Sequence, residues 1–92
     1  MVGRIESYLH SDNSTQNKGC AMVKVECVTD FAARTDGFKA FAEKVAKLAY
    51  GADAETWTDV ITLFPDLEAE RESLSKSLRE TISVTEIKIL KL

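Results

Sequence analysis

Histidine and proline occur once each in these 92 residues, cysteine twice, and positive charge nowhere gathers into a block. A lone His10, at the end of a strand-like run, has no partner to orient it, so a surface role outweighs that of a general base. The four glycines are isolated, which leaves no glycine-rich phosphate loop. Cys20 and Cys27 with one histidine lack zinc spacing. They sit at opposite ends of one apparent strand, roughly 23 Å apart at a rise of about 3.3 Å per residue. A bridge needs Cα atoms within about 7 Å, so reduced thiols are expected. A net charge of −3 without a Lys/Arg cluster argues against nucleic acid, which needs concentrated positive charge. No apolar run approaches the length of a membrane span, and no charged-then-apolar targeting segment is visible. These absences point away from an enzyme with its own chemistry, cofactor or metal. They leave a soluble cytoplasmic domain that acts by binding.

What is present is ordinary for a globular chain: 45% hydrophobic and 29% charged residues. The length allows one domain, residues 1–92, with a marginal core that would gain from a partner or from self-association. Val2 to His10 alternates as a strand, with Ile5, Ser7 and Leu9 on one face and Arg4, Glu6 and Tyr8 on the other. Residues 11–19, "SDNSTQNKG", form a polar hairpin loop longer than the usual two to five residues. Cys20 to Cys27 alternates cleanly, Ala21, Val23, Val25 and Cys27 opposite Met22, Lys24 and Glu26. Two strands so joined are expected to pair antiparallel.

Helical spacing follows. Phe38, Phe41, Ala42, Val45, Ala46, Leu48 and Ala49 share one face of a helix with Asp36 as its candidate cap and Gly51 as its left-handed stop. The connector Ala52 to Asp66 holds room for one short helix that breaks at Pro65. Leu67 to Thr81 is a second long helix, acidic at its start and basic near its end. Leu67, Leu74 and Leu78 mark its narrow buried stripe. Ile82 to Leu92 is β-branched and closes the chain as a strand. The order β-β-α-α-β predicts an α+β fold, a small three-stranded antiparallel sheet with helices packed on one face. Met22, Leu90 and Leu92 beside Lys24, Glu26 and Lys88 would give the second face a mixed surface suited to another sheet.

One stretch resists this ordinary reading. In "VECVTDFAARTDGF", Val25 to Phe38, the alternating strand stops at Thr29-Asp30, either of which can cap a short helical turn. The bulky Phe31 then stands where turns favour small and polar residues. It either folds back into the core, as aromatics after strands usually do, or is held out for something to receive. By contrast, the helical spacing of Phe38 and Phe41 makes them core, and Trp57 with Phe64 a satellite cluster over the helices.

From Thr29 to Ala49 the sequence resembles bacterial elongation factor Ts, the guanine-nucleotide exchange factor for elongation factor Tu. That family carries a strand ending in a run like E-V-N-C-x-T-D-F-V-A-[RK], followed by F-x-x-F-x-x-x-[VI]. Thr29, Asp30, Phe31, Ala33 and Arg34 fall in register with it, then Phe38, Phe41 and Val45. Glu26-Cys27 matches less closely, and the asparagine of the strand end is absent. "GRIESYLH" looks like the family's opening strand, "LEAERESLSKSLRETI" like its acidic helix and "SVTEIKILKL" like the strand after it. The resemblance covers one half of the family's core (dimerisation) domain, the half that bears T-D-F. The family's N-terminal ubiquitin-associated-like domain and second core half have no counterpart in these residues, as in a truncated, minimal or phage-encoded relative.

The resemblance implies a partner and a site. Phe31 would wedge between two helices of the nucleotide-binding domain of elongation factor Tu, in its GDP-bound or nucleotide-free form. Thr29 and Asp30 would lie in the same contact, Asp30 hydrogen-bonding beside the ring. Arg34 is most simply a solvated charge, or else anchors the loop or touches the partner. Disturbing the magnesium and phosphate site would speed GDP release, and linkage then requires preferential binding to the nucleotide-free state. Two functions stay open: exchange factor, or a module that recruits or sequesters elongation factor Tu without efficient exchange. A third, an unrelated α+β domain sharing the motif by chance, is remote. Shortened family members pair two chains sheet to sheet, so a homodimer is expected.

Overall fold

The structure, a computed structural model, describes residues 2–14 and 16–92. Three strands, β1 (Val2–His10), β2 (Gly19–Cys27) and β3 (Ser83–Lys91), form one antiparallel sheet in the order β1-β2-β3. Four helices lie between β2 and β3: α1 (Asp30–Ala33), α2 (Asp36–Ala52), α3 (Trp57–Leu63) and α4 (Asp66–Leu78). The α+β class, the sheet and the two long helices are those expected. The short turns at Thr29 and in the connector add α1 and α3 to the order.

Strand β2 is central, and its alternation has a direct cause. Ala21, Val23, Val25 and Cys27 face the helices and are buried, while Met22, Lys24 and Glu26 face the open side of the sheet. Strand β1 is an edge strand and inverts the simple rule. Arg4, Glu6, Tyr8 and His10 turn toward the helices and are half-buried, and the exposed residues include Ile5 and Leu9. Arg4 and Glu6 offset their partial burial by pairing at 2.6 Å. His10 is more enclosed than a lone surface histidine. Its Nδ1 lies 2.8 Å from the Tyr8 hydroxyl, and its ring packs on Tyr50 with centroids 5.0 Å apart.

The helix ends show which of several competent residues packing selects. Thr35, not Asp36, caps α2, its hydroxyl accepting from Phe38 N. Gly51 lies inside α2, and Asp53 supplies the left-handed stop at φ 58°. Asp is among the few residues that enter this region readily. Helix α4 follows Pro65 and ends at Leu78 rather than Thr81, because Arg79 flips to φ 59°. The Glu80 amide then donates to Ser75 O at 3.1 Å, and Ile82 enters the core fully buried.

Phe38, Phe41 and Val45 of α2 meet Val23, Val25 and Cys27 of β2 in a core closed by Val60, Leu67, Ile82 and Ile87. Phe38 is 0% exposed, as its helical spacing predicts. Trp57 meets Phe41 edge to face at 6.2 Å and donates its indole N–H to Glu68 at 3.0 Å. Glu68 also pairs with Arg71, which donates to the Ile82 carbonyl at 2.9 Å, so one network ties α3 and α4 to the start of β3. The side chains of Cys20 and Cys27 are free thiols. No helix among the described residues is long and apolar enough to cross a membrane.

Candidate functional site

Helix α1 is a single turn, and a turn of that length is unstable without outside support. Besides its own cap at Thr29, support reaches it from three sides: α2, β2 and the end of α4. Thr29 caps it, the hydroxyl accepting from Ala32 N at 3.3 Å. Thr35 closes its far end: its hydroxyl donates to Ala32 O at 2.9 Å while accepting from Phe38 N, so one side chain joins α1 to α2. Ala32 and Ala33 are buried against the core, and Cys27 Sγ donates to the Thr29 carbonyl at 3.2 Å.

Against that braced frame Phe31 is 78% exposed. The turn buries its two alanines and turns its large ring to solvent, the reverse of what hydrophobic burial alone would select. Val28, three residues earlier at the approach to the turn, is also exposed. Thr29, Asp30 and Arg34 are exposed as well, Arg34 separated from Thr29, Asp30 and Phe31 by the buried Ala32 and Ala33.

The third support is Glu80, which lies just beyond the end of α4 rather than within the helix expected to run to Thr81. One oxygen of its carboxylate accepts from Val28 N at 2.9 Å and Thr29 N at 3.0 Å. The other accepts a hydrogen bond from the Thr29 hydroxyl. These bonds hold the Glu80 carboxyl below the usual carboxylate range, the Thr29 hydroxyl being the first cause. Burial pushes the Cys27 thiol up, helped by the negative charges of Glu80 and Asp30. No local sequence signal marks Glu80, because its partners lie 51 and 52 residues away.

A second surface is the open face of the sheet. Cross-strand rows place Leu9 beside Cys20 and Leu90, Ser7 beside Met22 and Lys88, and Ile5 beside Lys24 and Glu86. Ile5, Leu9, Met22 and Leu90 are exposed on it, with the Lys24–Glu86 pair at 2.9 Å among them. It is more apolar than Met22, Leu90 and Leu92 alone suggested, because β1 adds two residues.

No protein-family model matches the chain. Curated proteins do. Elongation factor Ts of Cronobacter sakazakii is 38% identical over 66 residues, 72% of this chain and 22% of the relative. Elongation factor Ts of Yersinia pestis is 32% identical over 91 residues, 97% of this chain and 31% of the relative. That of Yersinia pseudotuberculosis matches to the same extent. The chain is similar to a part of elongation factor Ts. It spans under a third of the length of these elongation factor Ts proteins, while the two Yersinia proteins match it almost from end to end. The stretch matched by the Yersinia proteins takes in both surfaces, the exposed turn at Phe31 and the open sheet.

Proposed function

We propose that this chain binds elongation factor Tu and promotes release of its GDP, with Phe31 as the inserted group. The observation that carries the reading is the exposed ring of Phe31 on a turn braced from three sides, in a T-D-F order that resembles the motif of elongation factor Ts. A rigidly presented aromatic is the usual anchor of a protein interface, since little ordering remains to be done on binding. Thr29, Asp30 and Arg34 supply the polar contacts around it. The chain adds no chemistry of its own. It would act by binding the nucleotide-free state of its partner more tightly than the GDP state, which lowers GDP affinity by the same factor. A soluble, cytoplasmic setting suits this role.

The test is release of fluorescent GDP from elongation factor Tu on mixing with the full chain. Accelerated release that Phe31→Ala abolishes supports exchange. Binding without acceleration favours the second reading, a module that recruits or sequesters elongation factor Tu. The short span relative to the relatives keeps that reading in view. Absence of binding overturns both.

The open sheet face supports a further part of the proposal, a homodimer formed sheet to sheet. Ile5, Leu9, Met22 and Leu90 would leave water together. Sedimentation at micromolar concentration should show twice the 10.2 kDa chain mass. A monomer at that concentration removes the dimer and leaves the Phe31 proposal intact.

A further inference from the structure

We infer that Glu80 is a positioning residue for the Thr29–Arg34 segment, its carboxylate fixing the pose from which Phe31 meets the partner. The inference rests on the reading of Phe31 proposed above. It is carried by how the hydroxyl of Thr29 is used. A threonine hydroxyl has one proton and two lone pairs. Here the proton goes to Glu80, which leaves a lone pair for Ala32 N at 3.3 Å, the amide that α1 needs capped. The same carboxylate takes the amides of Val28 and Thr29, the two residues that lead the chain from β2 into α1. Bonds to an ionised acceptor are roughly twice as strong as neutral ones.

Glu80 is itself held. Arg79 in the left-handed region turns the chain out of α4, and the Glu80 amide donates to Ser75 O at 3.1 Å. The end of α4 therefore sets where the α1 turn sits, while Thr35 and α2 set it from the other side. None of the hydrogen bonds to Glu80 reaches the Phe31 side chain, so its effect on binding passes through the backbone.

Two substitutions separate the parts. Glu80→Ala removes all three bonds. Glu80→Gln keeps a carbonyl oxygen for the two amides, but its NH2 group cannot accept the Thr29 proton. In the GDP-release assay with the full chain, Glu80→Ala should raise the concentration for half-maximal acceleration by about tenfold, one ordering step of ordinary size. Glu80→Gln should raise it by a smaller factor. The maximal rate at saturation should be nearly retained, because the partner holds Phe31 once it has docked. Amide exchange without any partner should speed up at Val28, Thr29 and Ala32 and stay slow at Val23 and Val25. Unchanged half-maximal concentrations in Glu80→Ala, with Phe31→Ala inactive, would overturn the inference and leave the proposed function standing. Loss of protection through the whole chain would also overturn it, since Glu80 would then be a general stabiliser. A Phe31→Ala chain with full activity would instead overturn the proposed function.

Discussion

Phe31 and Phe38 stand seven positions apart and face opposite environments, so truncating each to alanine separates binding from folding. Burying an aromatic side chain removes about 150–250 Å² from water, which at about 25 cal/mol per Å² corresponds to about 4–6 kcal/mol. Phe38 is 0% exposed in the centre of the core. Phe38→Ala should therefore destabilise by about 3–5 kcal/mol, the usual range for a buried phenylalanine. A domain of this length holds roughly 5–14 kcal/mol in total, so that loss takes a large share of it. With a urea slope of about 1 kcal/mol per M, the midpoint should fall by about 3 M or the chain should not fold at all. Phe31 is 78% exposed, so about a fifth of its surface is at stake, about 1 kcal/mol. The better helix propensity of alanine returns about half of that. Phe31→Ala should shift the midpoint by under about 1 M and still abolish GDP release. Urea titration followed by circular dichroism and by Trp57 fluorescence gives both numbers. A Phe31→Ala chain as unstable as Phe38→Ala would refute the reasoning, because Phe31 would then be packed in solution and unable to serve as a wedge.

Three further outcomes follow from the backbone and the charges. Arg79 sits at φ 59°, where an L-residue is strained, so Arg79→Gly should stabilise by up to about 1 kcal/mol. Thermal melting should then rise by several degrees, about 4–8 °C per kcal/mol at this size, and a lower melting point would count against the strain. A Cβ on Gly3 would lie 2.1 Å from the Val25 carbonyl oxygen, a backbone atom that cannot swing away. Gly3→Ala should therefore cost about 1–3 kcal/mol and loosen the start of the β1–β2 ladder in amide exchange, and an unchanged urea midpoint would contradict it. Glu68, Glu80 and Glu86 have lowered carboxyl pKa values, caused first by Arg71, Thr29 and Lys24 respectively. Each contributes stability that is present above the ordinary value of 4.5 and is lost as pH falls through the lowered folded values. The urea midpoint should hold down to about pH 5 and then drop, less steeply in Glu68→Gln; a midpoint that rises on acidification would reverse the sign.

What could be read in the sequence was what local pattern determines. The alternation of β2 is legible because one of its faces is buried and the other open, and Phe38 and Phe41 announce themselves by helical spacing. Strand β1 alternates just as visibly, yet polarity does not say which face is inside. Arg4, Glu6, Tyr8 and His10 turn inward because an edge strand can pair its charges and rings at the rim of the core. Helix ends were displaced where neighbouring residues were equally competent. Thr35 and Asp36 both cap well, and packing of Phe38 selects the threonine. Asp53 takes the left-handed position expected of Gly51. Glu80 was invisible for a different reason: its partners are set by the meeting of the end of α4 with the end of β2, a property of the assembled fold.

That meeting explains how a single turn can hold an aromatic in water. Exposing Phe31 forgoes burial free energy, and a four-residue helix has no stability of its own to hold the ring in one place. The fold supplies the missing order from elements that are already fixed: β2 through Cys27, α2 through Thr35, and the end of α4 through Glu80. Each reaches the turn through a backbone group or a cap, and none of these bonds involves the Phe31 ring. The ring is left free to be received while its base is not free to move. A rigid base with an open tip is what distinguishes a wedge from an exposed loop residue, since force or strain passed to a partner has to be borne by the structure behind it. It also sets where such a wedge fails. Weakening any one of the three supports should degrade Phe31 before it unfolds the core, because the side chains of Val23, Val25, Phe38 and Val45 take no part in the hydrogen bonds that hold the turn.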